Sequence, residues 1–199
     1  MEALRELAPG PAARTPRPGT GPPTRMPYRR GMKFLVRERV FDIGDDFWVT
    51  DEQGTKVFWV DGKALRLRTT FELKDPKGEV LMVIRKKLFK VRDQMRVEHD
   101  GSTVATVRKR LFNPVRDKLN VEVKGGDDWE VVGSFFDKEY SISDKEGTVA
   151  VVSRKWFRMR DTYAVDVNTH RRDLAGDPAL VIAVAVAVDA LTGDDGDDD

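Results

Sequence analysis

Three segments concentrate basic side chains beside bulky apolar ones: Arg85-Lys-Lys-Leu-Phe-Lys-Val-Arg-Asp93, Arg108-Lys-Arg-Leu-Phe-Asn-Pro-Val-Arg-Asp117 and Arg154-Lys-Trp-Phe-Arg-Met-Arg-Asp161. Guanidinium and ammonium groups gathered in this way suit phosphate. Arg85, Lys86, Arg92, Arg108, Lys109, Arg116, Arg154, Lys155 and Arg158 are therefore the candidate binding residues, for an anionic membrane surface or a phosphorylated molecule. Trp156 and Phe157 offer an interfacial aromatic. The competing reading is structural. The Arg-Asp pairs at 92–93, 116–117 and 160–161 also suit salt bridges within turns, and strands turn alternate charges outward for solubility. A fourth segment in the same register, Phe135-Phe-Asp-Lys-Glu139, lacks the basic cluster and interrupts any such patch.

Nothing comparable points to catalysis. The chain has no cysteine, which removes thiol nucleophiles, disulfides and Cys-ligated zinc and fits a reducing, cytoplasmic setting. Its two imidazoles, His99 in a turn and His170 in Asn168-Thr-His-Arg-Arg172, each lack the partner a metal site requires. Ser102 lies near His99, but without a nucleophile elbow. Gly125-Gly126 is not followed by the Gly-Lys-Ser/Thr of a phosphate loop. Trp48, Trp59, Trp129 and Trp156 suit core or rim packing better than a ligand cage. The expectation is a protein that is not an enzyme and uses no metal or cofactor.

Charge is balanced overall, 35 Lys and Arg against 34 Asp and Glu in 199 residues, which excludes a bulk polyelectrolyte and gives no reason to expect a nucleic-acid partner. The tails differ from the body. Residues 1–25 hold six of the ten prolines and several glycines, and residues 192–199 are acidic; segments 1–31 and 192–199 read as disordered flanks of one domain over 32–191. The change of composition near Met26 makes Met26 or Met32 an alternative translation start to Met1.

Within 32–191 a repeat of about 23 residues is visible. Tight turns rich in Asp and Gly occur at 51–54, 75–78, 99–101, 125–128 and 144–147, where Gly supplies positive φ. They alternate with the Arg-Lys…Arg-Asp segments, and Phe89, Phe112, Phe135 and Phe157 keep the register. The joining stretches alternate apolar and polar, as half-buried strands do: Leu65 to Leu73, Met95 and Val97, Leu119 to Val123, Tyr163 to Val167. Val80 to Ile84, an unbroken apolar run, suggests a strand covered on both faces. With Phe34 to Val36, Val40 to Ile43, Phe47 to Thr50 and Lys56 to Val60, the total is eleven or twelve antiparallel strands. Closure into a barrel is the economical way to remove the edges of so large a sheet.

Asp177-Pro178 followed by Ala179-Leu-Val-Ile-Ala-Val-Ala-Val-Ala-Val188 opens like a helix, with Asp at the N-cap and Pro in the first turn. It is apolar all round yet too short to span a bilayer. A twelve-stranded barrel has a bore too wide for its own side chains, so the helix belongs on its axis. Successive turns then fall at opposite ends: the Asp/Gly turns sum to about −8 and the Arg-Lys…Arg-Asp turns to about +11, giving an acidic and a basic rim.

The opening Phe34-Leu-Val-Arg-Glu-Arg-Val-Phe-Asp-Ile-Gly-Asp-Asp-Phe, the repeated Arg-Lys…Arg-Asp turns and the apolar C-terminal helix together resemble the LURP-one-related family, grouped with tubby C-terminal and phospholipid scramblase domains. The resemblance covers Met32 to Leu191 and implies a mainly β fold, a closed twelve-stranded antiparallel barrel around a central helix. It carries over no headgroup ligand. Scramblase activity is not expected, since the chain lacks a cysteine for acylation, a spanning segment and an EF-hand loop. The functional expectation is a binding or scaffold domain that meets anionic lipid headgroups or phosphorylated small molecules with its basic rim, cytoplasmic and peripheral to a membrane. The alternative is a protein-interaction module that binds no lipid.

Overall fold

The structure, a computed structural model, describes residues 31–37, 46–62, 70–87, 94–109, 117–155 and 162–193. Twelve strands and one long helix follow one another along these residues. The strands are β1 (Met32–Arg37), β2 (Phe47–Asp51), β3 (Lys56–Gly62), β4 (Thr70–Lys74), β5 (Val80–Lys87), β6 (Gln94–His99), β7 (Ser102–Lys109), β8 (Asp117–Val123), β9 (Trp129–Ser134), β10 (Glu139–Asp144), β11 (Gly147–Ser153) and β12 (Thr162–Val167). A single 3-10 turn, Leu174–Gly176, leads into α1 (Pro178–Gly193).

Each strand pairs antiparallel with its neighbours in sequence, and β1 pairs with β12 from Met32↔Val167 to Arg37↔Thr162, so the sheet closes into a barrel. The expected alternation sets the two faces. Phe71 and Leu73, Met95 and Val97, Leu119 and Val121 point to a continuous core, while Glu72, Arg96 and Asn120 face away from it. One expectation is corrected: β5 is covered on one face only, with Val80 46% exposed and Leu81 and Val83 half-buried, because the helix packs inside the barrel and, among the described residues, nothing packs outside. Leu65, Leu67 and Thr69 and the strand expected at Val40 to Ile43 lie outside the described residues.

The Asp/Gly turns are built as their composition demands. Asp51 Oδ1 accepts from the N–H groups of Gln53 and Thr55, Asp75 Oδ1 from those of Lys77 and Glu79, and Asp144 Oδ1 from those of Glu146 and Gly147. The 125–128 turn takes its positive φ at Gly125, 83°, rather than at Gly126. A register shift recurs just before four of these turns, at Val49/Thr50, Leu73/Lys74, Val97/Glu98 and Ile142/Ser143. Such bulges sharpen the local twist, and repeating them around one end helps the sheet curl shut.

α1 fills the bore. Every side chain from Leu180 to Leu191 is buried, and the Ala/Val alternation keeps the helix slim enough for the barrel to surround it. Asp177 caps it as expected, its Oδ1 accepting from Ala179 N–H at 2.9 Å. On the way in, Arg171 pins the connection from β12 to the β10–β11 hairpin through Asp144 and Glu146, and also bonds Asp173 of the connection itself. Since β12 ends at the Asp/Gly end, the helix enters there and runs toward the Lys/Arg end.

Gly133 in β9 is where a side chain cannot fit. Its φ is 152°, and a Cβ would lie 2.3 Å from the Glu139 carbonyl oxygen and 2.6 Å from Tyr140 Cα. Gly133→Ala should lower stability by about 1–3 kcal/mol in a urea titration. Gly54→Ala, with nothing within 4 Å of its Cβ, is the comparison that isolates positive φ from crowding.

Candidate functional site

Up-and-down topology sends β1, β3, β5, β7, β9 and β11 in one direction, so their exits share one end of the barrel. Of the nine candidate residues, six are described, and all six stand at this end: Arg85 and Lys86 closing β5, Arg108 and Lys109 closing β7, Arg154 and Lys155 after β11. Arg92, Arg116 and Arg158 lie outside the described residues, as do Trp156, Phe157 and the Arg-Asp turn pairs as complete pairs. The six form two groups. β5 and β7 flank β6 and bring four of them close, whereas β8, β9 and β10 stand between β7 and β11.

The pleat divides these cations by face. Arg85 and Arg108 share the outward phase and join cross-strand ion pairs, Arg85 with Glu98 at 3.6 Å and Arg108 with Glu122 at 2.9 Å; Arg108 Nε also donates to Gln94 Oε1. Exposed pairs of this kind contribute at most about 1 kcal/mol and weaken with salt, so they leave the charges available to a polyanion. Lys86 continues the inward phase of Met82 and Ile84, and Lys109 that of Ala105 and Val107, which puts both at the barrel mouth, half-buried. After β11, the Glu139 carboxylate accepts from Ser153 Oγ and from the N–H groups of Arg154 and Lys155 at 3.0 and 3.1 Å. That acidic group occupies amides an outside anion would otherwise meet, and no local motif signals it.

The mouth also holds a buried polar cluster that sequence reasoning missed. Asp189, on the last turns of α1, is fully buried; its Oδ1 accepts from Lys138 Nζ at 3.1 Å and its Oδ2 from the Tyr163 hydroxyl at 2.5 Å. Burial lifts the Asp189 carboxyl above the ordinary carboxylate range, with Lys138 and Tyr163 pulling it back. Tyr140 lies beside the same carboxylate, its hydroxyl buried without a partner at hydrogen-bonding distance among the described residues. The signal was available: Asp189 is the one charged residue in the helical run 178–193.

The expected histidine and tryptophan roles also resolve. His99 Nδ1 bonds the Leu81 carbonyl at 2.8 Å, tying β6 to β5, and His170 is exposed. Trp129 is buried in the core, while Trp48 and Trp59 stack at 6.0 Å on the outer face, with Lys56 over one ring and Lys74 over the other.

Among the described residues, no helix is long and apolar enough to cross a membrane. In sequence the chain is 23% identical over 167 residues to an uncharacterized protein, YxjI, of Bacillus subtilis (strain 168), a match that covers 84% of this chain and 98% of that one. In structure it resembles the crystallographically determined Arabidopsis thaliana protein AT5G01750, with a TM-score of 0.55 and 20% identity, over 79% of this chain and 89% of that one; the likeness is one of fold. The sequence profile of the LURP-one-related family matches residues 32–189, nearly the whole barrel and its helix, and the chain belongs to that family.

Proposed function

We propose that this protein is a non-enzymatic binding domain that docks its Lys/Arg end against phosphate-bearing anions, with the headgroups of an anionic membrane as the favoured partner. The observation that carries the reading is topological. Strand alternation brings the exits of β5, β7 and β11 to one end, and the connections that follow hold Lys90, Arg92, Arg110, Arg116, Arg158 and Arg160. The Asp-rich turns lie at the other end, so the barrel has a charge axis that orients it on an anionic surface.

Flotation with phosphatidylcholine vesicles, with and without phosphatidylserine, tests this. Recovery should rise with the anionic lipid and fall as salt is added; equal recovery on both vesicles would sink the lipid reading. Each basic side chain near an anionic surface contributes about 1 kcal/mol, so Arg85→Glu with Lys155→Glu should lower recovery at least tenfold. Lys77→Glu, at the opposite end, should leave it unchanged. A soluble inositol phosphate that competes without vesicle binding would identify a small-molecule ligand instead.

A second reading, a protein-interaction module, draws on the cross-strand pairs of Arg85, Arg108 and Lys155, which give those cations a structural role. It requires that the charge reversals leave partner capture from lysate intact.

A further inference from the structure

At the Lys/Arg end, the turn between β9 and β10 displays Phe136 with 90% of its surface in solvent. A lone exposed apolar residue is ordinary, so exposure alone carries nothing. What distinguishes this one is the framework that holds it out. Phe135, immediately before it, is buried edge-on against Tyr140 with ring centroids 5.5 Å apart. Ser134 Oγ donates to the Asp137 carboxylate at 2.7 Å, and Lys138 N–H donates to the Phe135 carbonyl at 3.2 Å. Lys138 takes a left-handed φ of 54°, rare for a residue with a side chain, and reaches inward to Asp189 of the central helix. The turn is thus fastened from inside the barrel by Phe135 and Lys138, and Phe136 is sent outward with Asp137 between them.

The repeat makes the same point independently. In the register set by Phe89, Phe112, Phe135 and Phe157, the next residue is Lys90, Asn113, Phe136 and Arg158. The position is polar in three units and aromatic only here, so the repeat itself does not require a phenyl ring. On the rim, the order β7, β8, β9, β10, β11 places this turn between Arg108 and Lys109, which close β7, and Arg154 and Lys155, which follow β11. What interrupts the basic clusters is therefore an aromatic tip with cationic segments on either side.

We propose that Phe136 is a membrane anchor: when the Lys/Arg end faces an anionic bilayer, its ring enters the interfacial layer while the flanking cations hold headgroup phosphates. This rests on the headgroup reading above and narrows it to a bilayer, since a soluble phosphorylated ligand offers a phenyl ring nothing to enter. A preformed wedge on a fixed turn loses little freedom on binding, which favours a role in retention.

The absence of cysteine makes the test clean, because Phe136→Cys creates a single labelling site in the full-length chain. An environment-sensitive nitrobenzoxadiazole probe there should brighten and shift to the blue on phosphatidylserine-containing vesicles and stay unchanged on pure phosphatidylcholine. The same probe at Lys77→Cys, at the opposite end, should not respond. Unlabelled Phe136→Ala should bind anionic vesicles about tenfold more weakly, at unchanged salt dependence and unchanged thermal stability. If wild type and Phe136→Ala bind anionic vesicles equally and the probe stays in water, the anchor is refuted while the headgroup reading survives. If the wild type binds no vesicle, both are refuted.

Discussion

Asp189→Ala should destabilise the barrel by about 3–5 kcal/mol, measured as a lower midpoint at unchanged slope in urea unfolding. The size follows from what the change leaves behind. Lys138 is itself buried, its ammonium 3.1 Å from Asp189, and truncation removes the carboxylate that both this ammonium and the Tyr163 hydroxyl face. Removing one member of a buried pair is far costlier than removing both, because the unpaired survivor keeps its desolvation cost. Asp189→Leu combined with Lys138→Met should therefore recover more than half of the loss, and Lys138→Met alone should resemble Asp189→Ala. A single Asp189→Ala change within about 1 kcal/mol of wild type would show that the pair is not what holds the helix. The cluster has a further structural consequence: an Ala/Val helix offers few features to fix its rotation in the bore, and one buried ion pair selects a single azimuth and depth.

The architecture was largely legible because barrels write their pattern in period 2. Alternating residues such as Met95 and Val97, or Tyr163 and Val165, can be read directly as inside, and Asp/Gly turns mark where strands reverse. The helix was legible for a similar reason, Asp177 and Pro178 announcing its start. Val80 misled because an unbroken apolar run looks the same whether its second face is covered or open to water. The candidate site was legible only as a set of residues sharing one end. Cross-strand register decides that Arg85, opposite Arg96, reaches Glu98 diagonally and that Arg108, opposite Asn120, reaches Glu122, and register lies in the pairing of distant segments. Phe136 and Lys138 were hidden for a different reason: in Phe135-Phe-Asp-Lys-Glu139 only the left-handed turn at Lys138 decides which phenylalanine goes in and that the lysine follows it.

Above pH 10 the folded state should lose stability at up to about 2.7 kcal/mol per pH unit from two tyrosines alone. Tyr140 and Tyr163 are held well above the usual phenol range, first by burial and then by the negative charge of Asp189. Between the ordinary value near 10 and the raised folded value, the unfolded chain releases protons that the folded chain retains. The stabilisation is therefore complete below pH 10 and is lost as pH rises, giving a negative slope of about 1.4 kcal/mol per unit for each tyrosine. Tyr140→Phe should halve the tyrosine share of that slope while costing less stability at pH 7 than Tyr163→Phe, since among the described residues its hydroxyl lies beside the Asp189 carboxylate without a partner at hydrogen-bonding distance. Tyr163→Phe should flatten the slope equally but cost about 1.5–3 kcal/mol at pH 7, the usual contribution of a hydrogen bond to a charged group. Absorbance at 295 nm provides a second reading. Of the three tyrosines, at most Tyr28, which lies outside the described residues, should ionise near pH 10 in the native protein, and all three in denaturant. Full ionisation of the native chain at pH 10, or an alkaline slope that Tyr140→Phe leaves untouched, would mean that water reaches the mouth of the barrel and that Asp189 is not sealed beneath it.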